Sequence, residues 1–123
     1  MLEPVQTVQI FEDKADIQAF SAGQEIFKQG EVGQCLYGIL DGEVEMQVNG
    51  KVVETLLKGD IFGEGALVHI DKTRYSTAIA KTNCKLAAMT ERHFIFAVQE
   101  TPMFALEVMR SYSDRFRRLK SMM

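Results

Sequence analysis

Asp41-Gly42-Glu43-Val44-Glu45-Met46-Gln47-Val48-Asn49-Gly50 holds one short strand between two turn signals. Asp-Gly and Asn-Gly each suit a two-residue hairpin turn, because its central positions need a positive φ that Asn, Asp and Gly tolerate. Between the turns Val44, Met46 and Val48 face one way, while Glu43, Glu45 and Gln47 face the other. Such period-two alternation predicts one buried face and one wet face, as antiparallel sheets usually have. A second alternation runs through Val53, Thr55 and Leu57.

Outward from this hairpin the turn signals continue at Ala22-Gly23, Gly30 to Gly33, Gly59-Asp60, Asp71-Lys72 and Thr82-Asn83. Spacing of about ten residues between β-branched and aromatic runs is the pattern of a sandwich or barrel. After Met89 the period changes. Thr90 is placed to cap a short helix with Glu91 in its first turn, and Thr101-Pro102 restarts a second one. In that last helix Ala105, Met109, Tyr112, Phe116, Leu119 and Met123 form a heptad-like seam. The expected architecture is mainly β with flanking helices: a jelly-roll barrel over about 17–89, C-terminal helices over about 90–121, and a short helix within residues 1–14.

At 123 residues the chain has room for one domain, and 46% hydrophobic with 25% charged residues is an ordinary globular balance. No apolar run approaches the roughly 20 residues needed to cross a bilayer. Met1-Leu2-Glu3-Pro4 has neither the basic nor the apolar part of a secretory signal, so a cytoplasmic protein with no membrane contact is expected. Cys35 and Cys84 stand singly, far from any Cys-x-x-Cys spacing, and read as reduced thiols. His69 and His93 lack metal-ligand spacing, and no catalytic triad stands out, so neither a metal site nor an enzyme is expected.

A net charge of −3 means the molecule as a whole does not attract nucleic acid. An acidic protein that binds an anion must gather positive charge locally. Arg115, Arg117, Arg118 and Lys120 crowd the end of the chain and read as a solvated face that suits the negative end of a helix dipole.

The informative stretch is Phe62-Gly63-Glu64-Gly65-Ala66-Leu67, followed after a loop by Arg74-Tyr75-Ser76-Thr77-Ala78. Gly63 and Gly65 allow a tight turn that exposes backbone N–H groups to a phosphate. Arg74 carries a planar fork able to grip that phosphate with two parallel hydrogen bonds. Glu64, which only accepts when ionised, suits a sugar hydroxyl. Taken alone, Glu64 and Arg74 would read as a surface ion pair; the surrounding pattern turns them into a site. Arg74 is expected to be exposed and to hold up little of the fold.

Here the sequence resembles the cyclic-nucleotide-binding domain family. Phe20 to Phe27 looks like its opening strands, Gln29 to Gly33 and Leu36 to Glu45 like its glycine-marked hairpin, and Gly59 to Glu64 like the entry to its phosphate-binding cassette. The resemblance implies a non-catalytic regulatory module that binds a cyclic nucleotide, cAMP ahead of cGMP, and needs no other cofactor. It implies that Glu64 holds the ribose 2′-hydroxyl, that Arg74 holds the cyclic phosphate, and that backbone groups at Gly63, Gly65 and Ala66 complete the cradle. Phe62, Tyr75 and Ser76 belong to the same cassette. Gly65 and Tyr75 depart from the family pattern, which has an aliphatic and a small residue there. Ser76 lies one place beyond Tyr75 and by alternation points the other way. Activator-type members continue into a DNA-binding domain; none is expected before Met123, and no polar base reader is evident. A homodimer through the last helix and an unknown downstream protein are the expected partners. The alternative function is a ligand-free barrel that serves as an interaction or dimerisation scaffold.

Overall fold

A computed structural model describes residues 16–123. The expected N-terminal helix lies in residues 1–14, outside the described residues. Eight strands run in chain order as β1 (Asp16–Phe20), β2 (Glu25–Phe27), β3 (Cys35–Asp41), β4 (Val44–Val48), β5 (Lys51–Leu56), β6 (Ile61–Phe62), β7 (Thr77–Ala80) and β8 (Cys84–Thr90). Three helices complete the described chain: α1 (Gly65–Val68) between β6 and β7, then α2 (Glu91–Glu100) and α3 (Met103–Ser121) at the end.

The strands form two four-stranded sheets, ordered β1-β8-β3-β6 and β2-β7-β4-β5, with every pairing antiparallel. This corrects the expected barrel to two separate antiparallel sheets. Among the described residues no strand ladder joins the sheets; β2 and β6, at their edges, have only three and two residues, too short to extend a ladder from one sheet to the other. The jelly-roll layout with C-terminal helices remains.

Two apolar layers result. Phe27, Tyr37, Ile39, Val44, Met46, Leu56, Phe62 and Leu86 fill the space between the sheets. Leu36, Ile61, Ala87, Met89, Phe104 and Val108 join the outer face of the first sheet to α2 and α3. Strand β8 is therefore buried on both faces over Leu86–Met89, which ends its alternation.

The hairpin at the centre forms as its sequence dictates. Val44 and Met46 are buried, Val48 pairs with Lys51, and Asn49 takes a φ of +52° in the turn. The second alternation is corrected. Val52 and Val53 are exposed, whereas Leu56 is buried and Glu54 turns inward. A register irregularity between Met46 and Gln47 shifts the pairing, and Arg115 neutralises the inward carboxylate. Helix α2 starts as expected, with Thr90 Oγ1 accepting from His93 N at 3.3 Å and Glu91 in the first turn. Helix α3 begins just after Pro102, and the Phe104 N–H reaches back to the Thr101 carbonyl at 2.8 Å.

Candidate functional site

The segment from β6 through α1 to β7 folds back on itself and walls a small cavity of about 180 Å³. Gly63, Glu64, Gly65, Arg74, Tyr75 and Ser76 all line it, with Phe27, Met46 and Arg115 from elsewhere in the fold. Tyr75 and Ser76 face the same cavity because both precede β7, which starts at Thr77, so strand alternation does not govern them. Phe62 and Ala66 are also in this segment but are buried and do not line the cavity. Phe62 stacks on Tyr37 with ring centres 5.4 Å apart and meets the Phe27 ring at a tilt, 5.9 Å away, in the layer between the sheets.

Arg74 is only 5% exposed, which corrects the expectation of an exposed side chain. Its Nη1 donates to the Gly63 carbonyl at 2.9 Å and its Nη2 to the Cys35 carbonyl at 2.8 Å. The guanidinium carbon sits 4.1 Å from the centre of the Phe27 ring, at cation–π distance. Two glycines make room. A Cβ on Gly33 would run into Nε and Cζ of Arg74, and one on Gly63, which also has a φ of +81°, would lie 2.8 Å from Nη1. Arg74 Nε is buried and has no hydrogen-bond partner among the described residues. The cation is thus positioned by carbonyls that cannot neutralise it.

Glu64 precedes the first turn of α1 and makes no ion pair with Arg74. Its Oε2 accepts instead from the Tyr112 hydroxyl of α3, at 2.7 Å. Burial raises the Tyr112 pKa, and the Glu64 carboxylate beside it raises it further, so the phenol stays a donor. Lys72 fastens the other end of the cassette, its Nζ donating to the Ala66 carbonyl at 3.2 Å and pairing with Glu91 of α2 at 3.3 Å.

Arg115 of α3 also lines this cavity. Nε and Nη2 make a fork to Glu54 at 2.8 and 2.7 Å, and Nη1 donates to the Ile61 carbonyl at 2.6 Å. Desolvation works against this cation, but its bonds to Glu54 more than offset that and raise its pKa. Arg118 likewise pairs with the buried Asp60. These two arginines are therefore clasps between α3 and the β5–β6 region, which corrects their reading as a solvated face. A second cavity of about 170 Å³, lined by Glu54, Glu64, Tyr112, Arg115, Phe116 and Leu119, shares Glu64 and Arg115 with the first.

The sequence reading missed Tyr112, Arg115 and Glu54 as site residues. The only available signal was an acidic residue inside a strand pattern at Glu54 and an arginine in the last helix. A larger hollow lies elsewhere among the described residues, an apolar groove of about 800 Å³ between α1, α2 and α3 with Leu67, Phe94, Ile95, Met109 and Phe116 in its walls. Its walls are mainly apolar, with Arg117 and Lys120 at its edge, whereas the cassette brings a buried guanidinium to its cavity.

Comparison with known proteins covers most of the chain, this segment included. The family model described as "Cyclic nucleotide-binding domain" matches residues 17–101. The cAMP-dependent protein kinase regulatory subunit of Schizosaccharomyces pombe is 45% identical over 83 residues, covering 67% of this chain and 20% of that protein. The cGMP-dependent protein kinase of Plasmodium berghei is 43% identical over 70 residues, 55% of this chain and 8% of that one. The chain thus spans a fifth or less of the length of these two relatives. In fold it is similar to the catabolite activator protein of Thermus thermophilus, with a TM-score of 0.76 at 23% identity over 94% of this chain and 56% of that one.

Proposed function

This chain belongs to the cyclic nucleotide-binding domain family, and from that premise we propose that it is a non-catalytic regulatory module that takes up a cyclic purine mononucleotide in the cassette between Phe62 and Thr77. One observation carries the reading: a buried guanidinium at the cavity wall whose Nε has no partner among the described residues. Buried donors are normally satisfied, so an unpaired one beside a cavity asks for a ligand acceptor. A cyclic phosphate supplies one, with the backbone of Gly65 on the same cavity wall beside it. Glu64, also on that wall, is the acceptor for a ribose hydroxyl.

Because Glu64 already accepts from Tyr112, ligand and α3 meet on a single carboxylate. A ligand that binds one arrangement of α3 better than another shifts the population toward it, which is what a sensor needs. The outward residues Leu106, Met109 and Phe116 on α3 support an output by contact with a second copy or a downstream protein. The free thiols Cys35 and Cys84 suit a reducing compartment, and we place the protein in the cytoplasm. No helix among the described residues is long and apolar enough to cross a membrane. The scaffold alternative loses its main support, since Tyr75 is 81% exposed at the rim and does not plug the cavity.

The test is a thermal shift screen of the full chain against cyclic mono- and dinucleotides. A ligand at a hundred times its dissociation constant adds about 2.7 kcal/mol of stability. A cyclic purine mononucleotide should raise the melting temperature by several degrees. No shift with any of them at millimolar concentration refutes the reading.

A further inference from the structure

We propose that the groove between α1, α2 and α3 is a second binding site, one that takes a single-chain anionic amphiphile of the fatty-acid type. The inference goes beyond the cyclic-nucleotide reading and does not depend on it. Leu67, Phe94, Ile95, Val108, Met109 and Phe116 surround a hollow of about 800 Å³. That is the size and lining of a small-molecule site, concave and apolar with a few polar groups. Part of the lining faces water, since Ile95, Met109 and Phe116 are all exposed. A contiguous apolar surface rimmed by polar groups marks a binding face.

The charges at the groove say what kind of ligand fits. Among the described residues Glu64, Glu91, Arg117 and Lys120 are its charged groups. Both acids are engaged. Glu91 pairs with Lys72 at 3.3 Å, and Glu64 accepts from Tyr112 and lies within the field of Arg115. The cations have no such counter-charge. Among the described residues Arg117 makes no hydrogen bond or ion pair, and the Lys120 ammonium meets the Phe116 ring at 5.7 Å. Both stand in the last turns of α3, so unneutralised positive charge collects at one end of an apolar trough. From Met109 to Lys120 the helix runs about 16 Å, room for an extended acyl chain with its carboxylate beside the cations. The α3 of a second copy is a poor occupant, because its acids, Glu107 and Asp114, do not border the groove and its cations would meet their own kind. A bilayer is another poor one, since interfacial helices press an apolar face outward into lipid and this surface is recessed between helices.

Decanoate, decanol and decyltrimethylammonium share one chain and differ in head group. Isothermal titration of the full chain with each, below its micelle concentration, tests the site. Decanoate should bind saturably and about tenfold or more tightly than the ammonium compound, with the alcohol between them. From octanoate through decanoate to dodecanoate, each added methylene should tighten binding about twofold to fourfold as it leaves water. The double variant R117E/K120E changes two exposed positions, so it should keep the parent's melting temperature and reverse the order of head groups. Equal affinity for all three head groups, an unchanged order in the double variant, or no saturable binding of decanoate overturns the proposal. So does binding to phosphatidylglycerol vesicles without binding of monomeric decanoate, which makes the face a membrane contact. A dimer in analytical ultracentrifugation that Met109→Asp dissociates and decanoate does not makes the groove a subunit interface, and also overturns it. Failure here leaves the nucleotide reading standing, because the nucleotide thermal shift screen reads the cassette and not this groove.

Discussion

Replacing Arg74 separates its structural role from the phosphate-binding role proposed for it. In Arg74→Ala the carbonyls of Gly63 and Cys35 lose donors at 2.9 and 2.8 Å. An unsatisfied buried acceptor costs about 1–3 kcal/mol. Loss of the contact with Phe27, 4.1 Å away, adds about 0.5–2 kcal/mol. Water entering the adjoining cavity recovers part of this, and the fold no longer bears the desolvation of a cation. The net expectation is a loss of about 2–4 kcal/mol of folding stability, whereas an exposed arginine would leave stability nearly unchanged. Binding should suffer independently. Two charge-assisted hydrogen bonds to phosphate contribute about 1.5–3 kcal/mol each, so affinity should fall at least a hundredfold. Arg74→Lys keeps the charge and loses the fork, and should recover only a minor part of either effect. Urea unfolding gives the first quantity and isothermal titration below the variant's unfolding transition gives the second. An Arg74→Ala protein within about 0.5 kcal/mol of the parent would refute the role given to the two carbonyls and the ring.

Two further outcomes follow from the same environment. Gly33→Ala should destabilise the parent by more than about 1 kcal/mol, because its Cβ meets Nε and Cζ of Arg74, and should cost little in the Arg74→Ala background; equal costs in both backgrounds in urea unfolding would place the clash elsewhere. Burial raises the pKa of Tyr37, Tyr112 and Cys84 above their ordinary 10.0, 10.0 and 9.0, so each favours the neutral form in the folded state. Their contribution is complete below those values and is lost as pH rises through the higher folded ones. The urea midpoint should therefore be unaffected by these groups near neutrality and decline above about pH 9, and a midpoint that holds through pH 11 would contradict their burial.

Much of the fold was legible because the forces that set it are local. Asn49 and Gly50 permit only a few turn geometries, Thr90 sits where a helix needs an acceptor, and β4 alternates because one face is wet. Strand β5 misled for an equally physical reason. Val53 looked like a core residue and Glu54 like a solvent residue, yet the structure exposes the valine and half-buries the glutamate. Hydrophobic pattern assumes that a charge turns toward water. A fork from Arg115, 61 residues away, removes that need. Whether the sheets close into a barrel was equally beyond local reach, since closure depends on how far edge strands extend.

The site divides along the same line. The cassette's own residues announced themselves through glycine spacing and the distance from Glu64 to Arg74, and six of the eight residues named from sequence line one cavity. Their partners did not, because none lies near them in sequence. Tyr112 reaches Glu64 across 48 residues, Arg115 reaches Glu54 across 61, and Arg118 reaches Asp60 across 58. Each of these bonds joins α3 to the segment that runs from β5 into α1. In the last helix, side chains that look like a polar surface are therefore the ones that hold it in place, while Met109 and Phe116 of the expected seam are left outward. On the proposed function, a ligand that competes for Glu64 would act on a bond that positions α3. Recognition and helix position would then be coupled through a shared side chain, Glu64, without any intervening relay.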